Sequence, residues 1–572
     1  MVELNDLARE LLLAIGVLIH DSSRNTIFSL LTVNKNFHDT FLLLAYRQYN
    51  FDFTEYVPNL RKGFLTPFAA TQLKLRGFLE RDADDFIFHA VRKVVIRSAY
   101  SNQDDSKWTP LAEFISRLSN LEEITYDCRE SLPLALLTVL HEHHVSAHLH
   151  VRNWTRKSCD VKVGDPQEEA LARSTCLRSI EAKFISGGGD GISETNEAAL
   201  MRIIALAPNI HSASFTSRSE GGCVMTSYSE EEIEEEAREC ARFDVEMEKP
   251  KVLKKLGRDC MNASTFTRVE RYVDLSKIES LEAGMVYHDG LLRAINHTPF
   301  HSLRHLSLVL PELNAWATAD LTAQESRAAV TAFLSSLPPL QSLSVTNYAK
   351  DLDLSVVLLH HGESLLSLSL HESEDPENAR PVYSPANLEY IHTHAPNLVF
   401  LAIDINKTIN QAAEDRVYAV LSTFPKLTQI ALHYDLGLRD YEEIGIFPSE
   451  PQREGDLEFA GNVWRALTNG GGNSRLEEAT FYIGEQDRDV GYGYPAEWVL
   501  HEWSVRRKLQ VKRNERDDRR DEIYVTGTLD DSNYEGGSDG LKIQEVIDVA
   551  EPKHREYQDR KESGSEDNDM GF

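Results

Sequence analysis

The side chains best suited to chemistry in this chain of 572 residues are its histidines and cysteines, and their spacing argues against a reactive centre. His141-Glu142-His143-His144 gathers three imidazoles and a carboxylate. Val145, however, stands where a His-Glu-x-x-His zinc motif needs its second histidine. The run closes an apolar helix expected over 132–140, where histidine favours the negative end of the helix dipole. His360-His361 and His392-Thr393-His394 also end or precede repeat elements, with no acidic or cysteine partner at ligand spacing. Cys128, Cys159, Cys176, Cys223, Cys240 and Cys260 form no Cys-x-x-Cys pair. Gly187-Gly188-Gly189-Asp190-Gly191 lacks the Lys-Ser/Thr of a phosphate loop, and Gly470-Gly471-Gly472 reads as the stop of a helix containing Trp464 and Leu467. No Gly-x-Ser-x-Gly elbow is present. The expectation is therefore a non-catalytic protein with no catalytic, metal or cofactor site, whose work is binding.

Composition narrows what it binds. Against 60 basic residues stand 91 acidic ones, a formal net charge of −31. Phosphate binding needs clustered Lys and Arg, so neither nucleic acid nor an acidic membrane surface is expected as a partner. Six scattered cysteines suit a reducing compartment, and the apolar run from Leu11 to Ile19 is too short to span a bilayer and has acidic flanks unlike a signal peptide. A cytoplasmic or nuclear protein is expected, and the Asn-x-Ser/Thr sequences at Asn153, Asn262, Asn296 and Asn406 are then chance matches.

The elements that would carry such binding show as a repeat. A leucine or isoleucine, two variable residues, an apolar residue, one variable residue and another apolar residue recur with leads at 121, 177, 210, 303, 340, 365, 398, 427 and 476. Leu303-Arg-His-Leu306-Ser-Leu308 is the clearest copy, echoed from Leu340 and Leu365. The final alternation is the period-2 signature of a strand with one buried face. Helical stretches lie between, over 196–207, 326–337 and 412–424. Prolines 208, 338, 396 and 425 precede strand phrases and help stop the helices. Ala395-Pro396-Asn397-Leu398 nearly repeats Ala207-Pro208-Asn209-Ile210. Strand and helix in alternation, with leads 25–37 residues apart in the better-matched stretches, predict a right-handed βα solenoid, with a doubly wound sheet as the alternative.

One interval, 93 residues from Ile210 to Leu303, breaks the period, with a further strand phrase near 278–283. It carries Ser229-Glu-Glu-Glu-Ile-Glu-Glu-Glu, a capping box opening an exposed acidic helix, so an insertion is expected over about 219–262. A C-terminal extension over 513–550, with a strand at 522–527, and a disordered acidic tail over 551–572 complete the chain.

Before the repeats, Leu4, Leu7, Leu11, Leu12 and Ile15 are helically spaced, and further apolar stripes lie at Ile27–Val33 and Phe37–Leu44. Three short helices are expected within 1–53. Leu7-Ala-Arg-Glu10-Leu11-Leu12 with Ile15, Leu30-Leu-Thr-Val33-Asn-Lys35-Asn-Phe37, and Leu44-Ala-Tyr46-Arg47 leading to Phe51 and Phe53 resemble the F-box motif. Ala8 replaces the usual proline, which would pre-set the first helical turn. The body over 54–512 resembles leucine-rich repeats of the longer, irregular kind, although the asparagine or cysteine that usually comes after the strand is mostly missing. The fold expected is thus α/β, a horseshoe of leucine-rich-repeat type behind a small all-α unit. Together the two resemble the substrate receptors of Skp–cullin–F-box ubiquitin ligases. That resemblance implies an Skp-type adaptor, and through it a cullin, as partners, with Leu7, Glu10, Leu11, Ile15, Val33 and Phe37 as adaptor contacts and an unidentified protein target on the repeats. A repeat scaffold with no ligase role is the alternative.

Overall fold

The computed structural model describes residues 9–22, 24–54, 66–98, 105–128, 131–156, 165–185, 192–218, 252–297, 300–310, 323–347, 352–373, 380–405, 411–434, 453–469, 475–483, 507–513 and 523–529. The Glu-rich stretch at 229–239, the tail over 551–572, Leu7 and both glycine triplets lie outside them. The chain forms two compact units, Met1–Asp259 with Thr267–Ile278, and Cys260–Phe266 with Glu279–Phe572.

Three helices, α1 (Arg9–Ser22), α2 (Arg24–Leu30) and α3 (Lys35–Ala45), open the first unit. Leu12, Ile27, Phe37, Phe41 and Leu44 meet in their core. Gly16 allows that meeting, since a Cβ there would stand 2.7 Å from the side chains of Phe41 and Leu44. Asn34 starts α3 in extended conformation, its Oδ1 accepting the Phe37 N–H at 2.9 Å. Aromatic rings join the helices to the first strand and to the short helix Phe86–Ala90: Tyr46 lies edge-on to Phe28 and Phe86 and stacks on Tyr49. Tyr49 already belongs to that strand, so residues 48–52 open the repeat sheet instead of closing the helical unit.

The sheet runs β1 (Gln48–Asp52), β2 (Lys93–Ser98), β3 (Glu123–Cys128), β4 (His148–Trp154), β5 (Leu177–Ile185), β6 (Ser212–Arg218) and β7 (Lys255–Met261), each paired in parallel with the next. In the second unit β8 (Ser280–Val286), β9 (His305–Val309), β10 (Ser342–Thr346), β11 (Ser367–His371), β12 (Phe400–Ile405), β13 (Gln429–Tyr434) and β14 (Glu478–Ile483) are again parallel in chain order. β15 (Arg507–Arg513) and β16 (Ile523–Leu529) then add antiparallel strands. Helices alternate with the parallel strands, an arrangement consistent with a βα repeat of leucine-rich-repeat type.

All nine leads read from the sequence are buried, and the two apolar positions after each form the face that packs on the helices. Removing each such leucine from water contributes about 1.5–3 kcal/mol, so the phrase is the stability of the array written once per repeat. The long interval after Ile210 holds two more copies: Leu253 and Leu256 lead into β7, and Ile278 and Leu281 into β8, all buried. Residues 255–261, expected inside an insertion reaching 262, are therefore a strand, and β7 pairs with β6 from Ser212–Lys255 to Phe215–Arg258.

The turn before the strand supplies a polar device of its own. Asn209 donates to the Thr175 carbonyl at 2.9 Å, Asn397 to that of Glu363 at 2.8 Å, and Asn120 to that of His89 at 2.9 Å. Each reaches back to the equivalent turn of the preceding repeat. The Ala-Pro-Asn sequences thus combine a stop for one helix with a bond between repeats.

Candidate functional site

Helices cover one face of the strands. In the second unit Tyr434 of β13 bonds through its hydroxyl to Tyr418 of the helix Gln411–Leu421 at 2.9 Å, and its ring meets Phe459 of the helix Arg453–Asn469. The neighbouring residue His433 therefore points to the opposite face, because successive strand side chains alternate. Register aligns His433 with Asp404 of β12 and Tyr482 of β14, and Tyr482 with Lys508 of β15. His371 ends β11, completing a row of His371, Asp404, His433, Tyr482 and Lys508 across five adjacent strands.

The row is tightly arranged. The Nδ1–H of His371 donates to Oδ1 of Asp404 at 2.7 Å, and the backbone N–H of Glu372 donates to Oδ2 at 2.6 Å. Arg380 places Nη1 3.5 Å from Oδ1 and donates from Nη2 to the His433 carbonyl at 2.9 Å. The side chain of Asp404 is fully buried and that of Arg380 nearly so. A buried carboxylate persists only when paired and hydrogen-bonded, and here both conditions hold. The His433 ring lies between those of His371, with centroids 4.3 Å apart, and Tyr482, 4.7 Å away and 17° from parallel. The ammonium of Lys508 stands 5.3 Å over Tyr482. Asn347, in the left-handed region at φ 59°, braces the turn after β11: its N–H donates to the His371 carbonyl at 2.8 Å and its Oδ1 accepts from the Ser373 N–H at 3.2 Å. Asparagine tolerates that backbone better than most residues.

Reading along the chain does not mark this row as a site, because its successive members stand 26–49 residues apart in sequence. The repeat itself carries the signal. His371, Asp404, His433 and Tyr482 each stand six residues after a lead leucine, those at 365, 398, 427 and 476. Stacking the phrases in register would have brought them together.

The first unit's corresponding face is different. Asp52, Arg97, Asp127 and Arg152 are cross-strand neighbours of alternating sign, and Lys93 meets Glu123 at 2.6 Å. Burial would raise the Glu123 carboxyl, but hydrogen bonding and the charge of Lys93 hold it below its ordinary value. Charges on this face largely answer one another.

Four of the histidines weighed as ligands from the sequence, His141, His144, His360 and His361, have structural work. His144 ends the helix Leu134–His143 and its Nε2 bonds the Ile115 carbonyl at 2.8 Å, while His141 bonds Ser174 at 2.9 Å. His360 and His361 bond the carbonyls of Leu337 and Leu334 in the same manner. Burial lowers the basicity of His141, His144 and His361, the last to about 4.

Among the residues expected at an adaptor contact, Leu11 and Val33 are 55% and 59% exposed. Ile15 is half-buried and Phe37 lies in the core of the three helices. Glu10 lies on α1. Phe28 and Leu43 are also exposed. No helix among the described residues is long and apolar enough to cross a membrane. Searched against known proteins, the chain matches no family model and no curated protein.

Proposed function

We propose that this protein is the target-recognition subunit of an Skp–cullin–F-box ubiquitin ligase, its first helices binding the Skp-type adaptor and its repeats holding a target protein. The observation that carries the reading is the exposure of Leu11 and Val33 on a three-helix unit whose core is already filled by Leu12, Ile27, Phe37, Phe41 and Leu44. Leu11 on α1 and Val33 in the turn between α2 and α3 are exposed apolar residues that the core does not need, which suits a partner surface. Both residues also fall at the motif positions that the F-box resemblance assigns to adaptor contacts. The repeats offer, in the second unit, the row from His371 to Lys508 on the strand face opposite the described helices, as the surface on which a target would be read. The chemistry is proximity: a bound target is held at high effective concentration near the ligase's catalytic partner.

Co-purification of the full chain with an Skp-type adaptor tests this. The wild type is expected to form a stoichiometric complex, and Leu11→Asp with Val33→Asp to abolish it while the circular dichroism spectrum and melting temperature hold. A wild type that ignores the adaptor, or a folded double variant that still binds, overturns the ligase reading in favour of a scaffold that binds proteins through its repeats alone.

A further inference from the structure

We propose that His371, Asp404 and His433 form a binding site for a first-row transition-metal dication, with Zn2+ as the probe. Among the described residues, these three bring one imidazole nitrogen each and a carboxylate oxygen within 4.8 Å of one another. Imidazole and carboxylate are donors that zinc, and its neighbours in the series, accept readily, and two histidines with one carboxylate leave a coordination position for water or a target's side chain.

The scaffold holds these donors firmly. All three come from adjacent parallel strands at one register level, and strands position ligands more firmly than loops do. Asp404 is oriented by the Glu372 N–H on one oxygen, leaving Oδ1 toward the imidazoles. The His433 ring is fixed between His371 and Tyr482. His371 and His433 both retain access to solvent, whereas Asp404 has none, so an ion would enter from the imidazole side.

The present contact between His371 and Asp404 is 2.7 Å, whereas two donors of one tetrahedral ion with bonds of about 2.0–2.1 Å stand about 3.3 Å apart. Ligation by Nδ1 and Oδ1 therefore takes the His371 ring as its neutral Nε2–H tautomer, the proton leaving Nδ1 being replaced by one on Nε2 through solvent, and opens that pair by about half an ångström. Arg380, with Nη1 3.5 Å from Oδ1, opposes a dication by like charge. That opposition limits the affinity.

Calorimetric titration of the metal-stripped full chain with Zn2+ is expected to give one site per chain. His371→Ala, His433→Ala and Asp404→Asn are each expected to weaken it by more than about 100-fold, since loss of an outer-shell partner alone costs about 10–100-fold and these are the ligands themselves. Co2+ supplies a signature that simple misfolding would not mimic: a visible d–d band in the wild type, absent from each variant that retains its circular dichroism spectrum. Because the chain has 21 histidines, the control is the double variant His38→Ala with His211→Ala, which is expected to bind as the wild type does. Absence of one-to-one binding in the wild type, or an unchanged site in folded His371→Ala with His433→Ala, overturns the proposal. Neither outcome bears on the adaptor, since no ligase component is present.

Discussion

Through Nδ1, the buried imidazole of His361 accepts the backbone N–H of Leu340 at 3.2 Å, and through Nε2 it donates to the Leu334 carbonyl at 3.1 Å. One ring thus ties the last turn of the helix Ala323–Ser336 and the lead of β10 to the helix Leu354–His361. Only a neutral imidazole can do both. Burial, together with the neighbouring His360, pushes its pKa down to about 4.

Stability therefore depends on pH with a definite sign. Between pH 6.5 and 4 the unfolded chain binds a proton at His361 that the folded chain does not, so stability falls as the pH is lowered through that window. The full loss is about 3 kcal/mol, from 1.36 kcal/mol per pH unit over the interval between the ordinary 6.5 and about 4. Urea unfolding at pH 7, 5.5 and 4.5 is expected to show the decline. His361→Gln should lower stability at pH 7 by about 1–3 kcal/mol and remove most of this slope. An equal slope in the variant would assign the acid sensitivity elsewhere.

Asn397 makes a simpler test of how repeats are joined. Its amide donates to the Glu363 carbonyl and its Oδ1 accepts from Lys426 at 2.7 Å. Asn397→Ala is expected to cost about 0.5–1.5 kcal/mol, and Asn209→Ala a similar amount through Thr175 alone. Because each bond lies within its own unit, the two losses should add in the double variant. Denaturant midpoints of the single and double variants check this.

These asparagines show what the sequence could and could not convey. The buried leads at 303, 340 and 365 were legible because a leucine at fixed offsets from two other apolar residues already states a half-buried strand. β1 and β2 were not, since aromatic Tyr46 and β-branched Val91 occupy their lead positions. They fill the same space, and a search for leucine or isoleucine passes over them. The cluster of His371, Asp404 and His433 was illegible for another reason: its logic is perpendicular to the chain, one residue per repeat, and it appears only when strands are set side by side. His144 was readable as a helix-end residue, but its bond to the Ile115 carbonyl required the neighbouring helix.

Gly16 separates packing from docking in the first helices. Its absent side chain lets α1 approach Phe41 and Leu44 of α3, where a Cβ would intrude at 2.7 Å. Gly16→Val is expected to destabilise the three-helix core by about 1–3 kcal/mol through overpacking. Leu11→Asp, on an exposed position, should leave stability within about 0.5 kcal/mol. Hydrogen exchange of the α1 and α3 amides would report both effects. Faster exchange in Gly16→Val and unchanged exchange in Leu11→Asp are the expected pair.

Glu197, on the helix Ile192–Leu206, meets Arg258 of β7 at 2.7 Å and Arg268 at 3.5 Å, with the first two side chains almost wholly buried. Burial would raise the Glu197 carboxyl, yet the two guanidinium groups hold it below the ordinary range. Arg258 also lies 4.6 Å over the Phe215 ring of β6, so it fastens the helix to both strands. Removing one partner leaves an uncompensated charge in an apolar setting, and Arg258→Met is expected to cost about 3–5 kcal/mol. Replacing both, Glu197→Met with Arg258→Met, removes the stranded charge and should cost less than Arg258→Met alone. The sign of that difference, read from urea midpoints of wild type, single and double variants, decides whether the pair acts as a mutually dependent buried unit. A double variant as unstable as the sum of its singles would show instead that each side chain acts through separate contacts.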